Sequence, residues 1–497
     1  MNTEMLFAGF WASLSAYNLF LVVVGTALGV VVGALPGLGP TLGVALLIPL
    51  SYGMDAVTAL MLMGGVYVGA VYGGSITSVL LGIPGTPNST ATVLDGFTLA
   101  QQGKSLQALG ASTVGSSVGG VAGALCLMFF TPLFSRIVLH FGVAEQFMLA
   151  MFGISVIAVA AKEVFLKGLL AGLFGLALAT VGFDPITGFE RFTFDSIWLA
   201  DGIPFMTVVI GVFGVSQTIS MAESARSISE VQELKGSIWE GARDVFTHFG
   251  VTMKSTAIGL FFGVVPGVGG GAANMIAYTA VSSSDKERDT FGKGNIKGVL
   301  AAECSNNATV GTALIPTLAF GIPGSAVAAV VLGLLTMHGI ETGPKLFVKM
   351  PLQLYTFFWG LLFTNIALAV ICLPLLKYFA KVTIVPYQIL VPNIMILCGL
   401  GTYSLRKSFV DVALTVAFGI LGYFLKKAKF PMVCLILGLV MGKMAEANLS
   451  RALLIHKSYG FIVTRPICLI ILILIVVTIA VPYIDFRKIV RKLRGIE

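Results

Sequence analysis

The sequence predicts an all-α polytopic membrane protein of about 12 transmembrane segments, built as two repeats that each contain Pro-Gly-broken or re-entrant helices. Three observations predict it. The 497 residues are 57% hydrophobic and only 11% charged, with a mean hydropathy of +0.95, and apolar runs of about 20 residues, the length that crosses a bilayer, recur from end to end. Glycine–proline breaks interrupt these runs twice in the same order. Gly33-Ala34-Leu35-Pro36-Gly37-Leu38-Gly39-Pro40 is followed by Gly82-Ile83-Pro84-Gly85-Thr86-Pro87-Asn88, and Gly263-Val264-Val265-Pro266-Gly267-Val268-Gly269-Gly270 by Gly321-Ile322-Pro323-Gly324-Ser325. Finally, the apolar pieces 41–50, 272–281 and 325–337 are too short to cross alone, and each directly follows a break. Lipid cannot satisfy free backbone N–H and C=O groups, so broken helices persist only where protein, water or a ligand does.

In chain order, the predicted spans and part-spans are 18–35, 41–50, 58–82, 107–131, 145–161, 164–182 and 203–220, then 251–265, 272–281, 296–319, 325–337, 351–376, 386–401, 408–425, 430–443 and 465–484. The first repeat is taken as 1–221 and the second as 251–464. Between them, 222–250 is a polar linker or amphipathic segment with mixed charges (Glu223, Arg226, Glu230, Glu233, Lys235, Glu240, Arg243, Asp244), and 465–497 is a last span with a basic tail. The run 18–35 lacks the basic flank of a signal peptide and is expected to remain in the protein. Glycine, 59 residues, is well above the average of about 7%, which suits close packing of membrane helices.

The net charge of +8 resides mostly in short loops and the tail (Arg487, Lys488, Arg491, Lys492, Arg494), a topology signal rather than a nucleic-acid surface. Loop 51–57 has no Lys or Arg, whereas its counterpart 282–297 has Lys286, Arg288, Lys293 and Lys297. The positive-inside rule puts 282–297 and the C-terminus in the cytoplasm. Opposite bias at equivalent points makes the repeats inverted. Cys126, Cys304, Cys372, Cys398, Cys434 and Cys468 show no CxxC spacing and read as apolar packing residues.

Each break is also a helix start. Thr86 can cap with Pro87 as first helical residue, and Ser325 can cap the helix after Pro323-Gly324. Gly39-Pro40 and Gly269-Gly270-Gly271 precede the other short helices. The first turn of a helix has unpaired N–H groups and a partial positive charge. Several such ends at mid-membrane would bind a carboxylate without a buried lysine or arginine. Paired interrupted helices in two halves point to a transport site. Its candidate residues are Pro36, Gly37, Gly39, Pro40, Ser75, Gly85, Thr86, Pro87, Asn88, Ser89, Gly267, Gly269, Gly270, Gly271, Asn274, Asn306, Asn307, Gly324 and Ser325. Candidates for the coupling ion are Glu303, Ser305, Asn306 and Thr312. Glu303, an ionisable residue inside a span, is either a proton carrier or a hydrogen-bond partner of a nearby Asn. Asp95 reads as a loop or capping residue, or as part of the site.

Gly292-Lys293-Gly294 is not a P-loop, and no HExxH or histidine-paired serine occurs. His140, His248, His338 and His456 are isolated. With no ATP motif and no cofactor expected, uphill movement must draw on an ion gradient, H+ or Na+, or on a partner. A passive anion channel and an intramembrane enzyme are the alternatives.

The runs PGLGP (36–40) with GVALLIPL (43–50), YGGSITSVLLGIPGTPNSTATVLDG (72–96), PGVGGGAANMIAY (266–278) and AAECSNNATVGTALIPTLAFGIPGS (301–325) closely resemble the TctA family, the large membrane subunit of the tripartite tricarboxylate transporters of bacteria. The resemblance covers roughly residues 10–460. It implies a non-enzymatic secondary transporter in the inner membrane, importing citrate or related carboxylates by symport. It also implies two partners, a periplasmic substrate-binding protein and a small membrane subunit. The site would lie between the two sets of breaks, with hairpins that move with the substrate or, alternatively, halves that rock.

Overall fold

The apolar runs form helices close to the predicted boundaries. A computed structural model describes residues 3–51, 53–138, 141–161, 164–184, 187–223, 233–340, 342–383 and 385–480. Arg226, Glu230 and the basic tail 487–494 lie outside them.

The chain begins with α1 (Thr3–Ser13), α2 (Ala16–Ala34), α3 (Gly39–Leu47), α4 (Ala56–Leu81), α5 (Thr90–Gln101) and α6 (Ser105–Val138). There follow α7 (Val143–Ala160), α8 (Phe165–Ala179), a two-strand hairpin of β1 (Gly182–Phe183) and β2 (Glu190–Arg191), and α9 (Ile197–Ala200). Next come α10 (Phe205–Val209), a π turn (Ile210–Val215), α11 (Ser216–Glu223), α12 (Ile238–Thr247), α13 (Phe249–Val264), α14 (Gly269–Ser284), α15 (Ile296–Phe320) and α16 (Ala326–Met337). The chain closes with α17 (Pro344–Lys349), α18 (Pro351–Val382), α19 (Tyr387–Arg406), α20 (Phe409–Lys427), α21 (Met432–His456), α22 (Phe461–Thr464) and α23 (Pro466–Ala480). Among the described residues, eight helical stretches are long and apolar enough to cross a membrane. This makes the molecule a helical, multi-span membrane protein. Helix α15 has the length, 25 residues, but carries the polar run Glu303–Thr312. The hairpin, with two residues paired per strand, is a departure from the all-α expectation.

Local chemistry sets the boundaries. Asp55 caps α4 by accepting from the N–H of Val57 and Thr58 at 2.9 and 3.2 Å. Burial alone would raise its carboxyl, but these bonds and the Thr58 hydroxyl outweigh it and hold the pKa below its ordinary value. Asn295 caps α15 through the N–H of Lys297. Both long helices end on a left-handed glycine, Gly82 (φ 66°) and Gly321 (φ 73°), the conformation glycine adopts without steric cost.

The breaks match in backbone geometry. Leu35 (φ −85°, ψ 116°) leads into Gly37 at φ 89° and Gly39 at φ 64°. Val265 (φ −79°, ψ 111°) leads into Gly267 at φ 83° and Gly269 at φ 69°. At the second breaks, Thr86 and Ser325 are both extended before the next helix.

Packing groups the chain into two compact units, one of residues 1–139 and 204–425, the other of 140–203 and 426–497. In the larger unit, α2 lies on α4 and α13 on α15, each through glycine. A Cβ on Gly25, Gly29 or Gly33 would lie 2.2–2.4 Å from a carbonyl oxygen of α4, and one on Gly65, Gly69 or Gly73 as little as 2.3 Å from the backbone of α2. Likewise, Gly259 and Gly263 of α13 sit against Ser305, Thr309 and Thr312 of α15. The helix after one half's first break packs on the segment after the other half's second break: α14 on residues 87–89 and α5, and α3 on α16. The polar segment 233–250 supplies α12, which rests Gly241 and Val245 on α6 and exposes Trp239 and Phe246.

In the smaller unit, α21 packs on α7 and α8, and α23 on α7. Gly172 and Gly438 bring α8 and α21 into backbone contact. Arg191 pairs with Glu446 and with Asp184 at 3.3 Å, and Arg465 with the buried Glu145 at 2.7 Å.

Candidate functional site

Three of the four breaks meet. The start of α14 lies so close to the turn after Pro84 that a Cβ on Gly270 would be 2.4 Å from Asn88 Nδ2 and 3.0 Å from Thr309 Oγ1, and one on Gly271 2.9 Å from the Pro87 carbonyl oxygen. Asn274 Nδ2 donates to the Asn88 carbonyl, and Gly267 N–H to the Gly324 carbonyl at 3.4 Å. Thr86 and Ser89 cap their own turn: Thr86 N–H donates to Ser89 Oγ at 3.2 Å, and Ser89 Oγ–H to the Thr86 carbonyl at 3.0 Å. Ser325 caps α16 through the Ala328 N–H and sits 3.2 Å from the Tyr67 hydroxyl. Gly85 is pressed against Gly74 and Thr77 of α4. Residues 36–40 turn elsewhere: Gly37 faces Gln217 of α11, Gly39 faces open space, and the tie to the other breaks runs through α3 and α16.

Beside the meeting point, the described residues include amides that nothing satisfies. Asn274, Asn306 and Asn307 are fully buried. Both side-chain polar atoms of Asn306 and of Asn307, Oδ1 of Asn274 and Oγ of Ser305 have no hydrogen-bond partner. A buried polar group left unpaired costs about 1–3 kcal/mol. Several on two adjoining helices mark a place where a polar ligand would replace water. Thr309, one turn along α15, donates to the Asn306 carbonyl at 2.6 Å.

Glu303 lies one turn before Asn306 and Asn307 and is fully buried. Three hydroxyls from three helices donate to it: Ser75 of α4 at 2.6 Å and Thr92 of α5 to Oε1, and Ser116 of α6 at 2.7 Å to Oε2. Ser75 is therefore engaged with Glu303, not with the breaks. The Thr312 hydroxyl is engaged with the Ala308 carbonyl at 3.1 Å.

Sequence reasoning missed Thr92 and Ser116 as partners of Glu303. It also left the setting of Asp95 open. Asp95 is buried in α5; its Oδ1 accepts from the N–H groups of Gly292, Gly294 and Asn295 at 2.8–2.9 Å, and its Oδ2 from the Tyr278 hydroxyl at 2.8 Å. Gly292 and Gly294, at φ 79° and 97°, aim those N–H groups inward. A signal was present in the Gly-Lys-Gly triplet, which forms a carboxylate cradle instead of a phosphate loop.

Broken helices meeting around unsatisfied buried amides, inside a multi-span helical protein, suit the membrane component of a solute transporter. Known proteins narrow the class to a family. Residues 19–437 match the Tripartite tricarboxylate transporter TctA family, and the chain belongs to it. An uncharacterized 52.8 kDa protein in the TAR-I ttuC' 3' region of Agrobacterium vitis is 35% identical over 466 residues, 92% of each chain. An uncharacterized protein in the TAR-II ttuC' 3' region of the same organism is 35% identical over 214 residues, 42% of this chain and 87% of its own length.

Proposed function

We propose that this chain is the large membrane subunit of a binding-protein-dependent secondary transporter, which imports tricarboxylates such as citrate, or related carboxylates, across the bacterial inner membrane on an H+ or Na+ gradient. Its partners are a periplasmic substrate-binding protein and a small membrane subunit, in keeping with the tripartite name of the family. The observation that carries the reading is the set of unpaired amides of Asn274, Asn306 and Asn307 beside helix starts that, among the described residues, have no lysine or arginine bonded among them. Amide N–H and helix-start N–H groups donate to carboxylate oxygens, and amide oxygens accept from a substrate hydroxyl or coordinate a cation.

The matched break geometry and reciprocal packing of α3 on α16 and α14 on α5 support two inverted repeats, 1–221 and 251–464, joined by 222–250. Short helices behind the breaks favour hairpins that travel with the substrate over rocking of rigid halves. The positive-inside bias of 282–297 and of the basic tail favours a cytoplasmic C-terminus.

The test is uptake of radiolabelled carboxylates into proteoliposomes holding both membrane subunits, with the cognate binding protein outside. Each of Asn306→Ala and Asn88→Ala removes bonds to a charged ligand worth about 1.5–3 kcal/mol, so affinity falls roughly 10- to 100-fold while the protein still inserts. Unchanged uptake in both variants would remove this site assignment.

A further inference from the structure

We propose that Glu303 is the proton carrier of the transport cycle, taking up one proton with each substrate molecule and releasing it on the other side; this rests on the carboxylate-transport reading above. The cage around Glu303 consists of hydroxyls alone: Ser75, Thr92 and Ser116. A hydroxyl donates to a carboxylate and, once turned about its C–O bond, accepts from a carboxylic acid. The same atoms therefore satisfy both protonation states without rearranging the four helices. Ser112, one turn before Ser116 on α6, brings a fourth buried hydroxyl to the carboxyl.

Among the described residues, no Lys, Arg or His bonds to Glu303. Tyr72 of α4 is a nearby titratable group, and its hydroxyl is held by Thr113 at 2.6 Å. Cys304 adjoins it on α15. Asp95 of α5 and Tyr278 of α14 bond to each other. Lys254 of α13 bonds to the Ala280 carbonyl and Ser284. On α12, Glu240 and Arg243 are exposed and Asp244 is half-buried. An uncompensated buried carboxylate is costly and resolves this by taking a proton. The alternative coupling ion fits poorly. The Ser75 and Ser116 oxygens stand 2.6 and 2.7 Å from the carboxylate, a separation spanned by a proton; sodium would have to push the oxygens apart.

Position supplies the coupling. Glu303 lies one helical turn from Asn306 and Asn307. An anionic substrate held by those amides meets a like charge when Glu303 is ionised and none when it is protonated. In a poorly screened interior that repulsion is strong. Substrate binding therefore raises the affinity of Glu303 for a proton, and the proton raises the affinity for substrate by the same factor.

The experiment uses the proteoliposome system with a panel of radiolabelled di- and tricarboxylates. An inward proton gradient of one pH unit is expected to drive about tenfold accumulation per proton coupled, and a sodium gradient at equal pH none. Glu303→Gln keeps the side-chain shape and hydrogen bonding. It is expected to lose gradient-driven accumulation and pH dependence while retaining binding-protein-dependent exchange of labelled for unlabelled substrate. Accumulation by the wild type on sodium but not on protons overturns the proposal and leaves the transport reading intact. So does a Glu303→Gln protein that accumulates like the wild type. Absence of both uptake and exchange in the wild type overturns the transport reading, and this proposal with it. Should Glu303→Gln fail to insert, Glu303→Asp decides: it keeps a carboxyl set back by one methylene, so proton-driven accumulation with a shifted pH profile is expected, and a profile like the wild type's overturns the proposal.

Discussion

Gly270 shows how little space the meeting point allows. A methyl group there would press on the Asn88 amide, 2.4 Å away, and on the Thr309 hydroxyl. Gly269, its neighbour, has nothing within 4 Å of an added Cβ, but its φ of 69° is one that residues with a side chain adopt only at a cost. The two substitutions should separate function from strain. Gly270→Ala is expected to displace Asn88 and lower uptake at least about tenfold at little thermal cost, since the far end of a side chain can yield. Gly269→Ala is expected to cost about 1–2 kcal/mol of stability from backbone strain alone, read as a fall in melting temperature in detergent. At this scale the sequence was partly legible. Asn274, Asn306 and Asn307 stand out because polar amides in apolar runs need partners. The Glu303 cage was hidden because Thr92 and Ser116 lie 211 and 187 residues away along the chain, and no local pattern reports contacts of that range.

Helix pairs here are joined by backbone touching backbone. Gly25, Gly29 and Gly33 of α2 interlock with Gly65, Gly69 and Gly73 of α4 at a spacing of four residues, one helix face. In lipid such close approach replaces the hydrophobic effect as the source of association. Gly29→Ala would place a Cβ 2.4 Å from the Val66 carbonyl oxygen, which cannot move without the helix. It is expected to destabilise by about 1–3 kcal/mol or more. Gly399→Ala in α19, with open space around it, is expected to be neutral or to stabilise by up to roughly 1 kcal/mol; thermal unfolding of the purified complexes compares them. Spans were legible at this scale because hydropathy alone writes them. Helix α5 was not, because it is short and turns Asp95 and Thr92 inward, so its polar residues mask its burial.

For the whole molecule, sidedness is the testable property. Ser283→Cys, at the exposed end of α14, is expected to react with a membrane-impermeant maleimide only in inside-out vesicles. Met54→Cys, in the loop before α4, is expected to react only in intact spheroplasts. The six native cysteines give little background, since all but Cys126 are buried. Both sites labelling from one side would overturn the inverted arrangement. The packing units were not legible in the sequence. Residues 204–425 join 1–139 across an intervening segment, and hydropathy says which residues meet lipid but not which helices meet each other.

The Asp95 cradle has a bearing on turnover. Four neutral donors hold that carboxylate and, among the described residues, no cation is bonded to it. A transporter that grips its cargo with dipoles of the same kind has no ion pair to break at the exit. On the proposed reading, the cargo would leave as soon as the helix starts part, and residence time would follow the geometry of the hairpins. Speed of delivery would then be set by how often the tips separate.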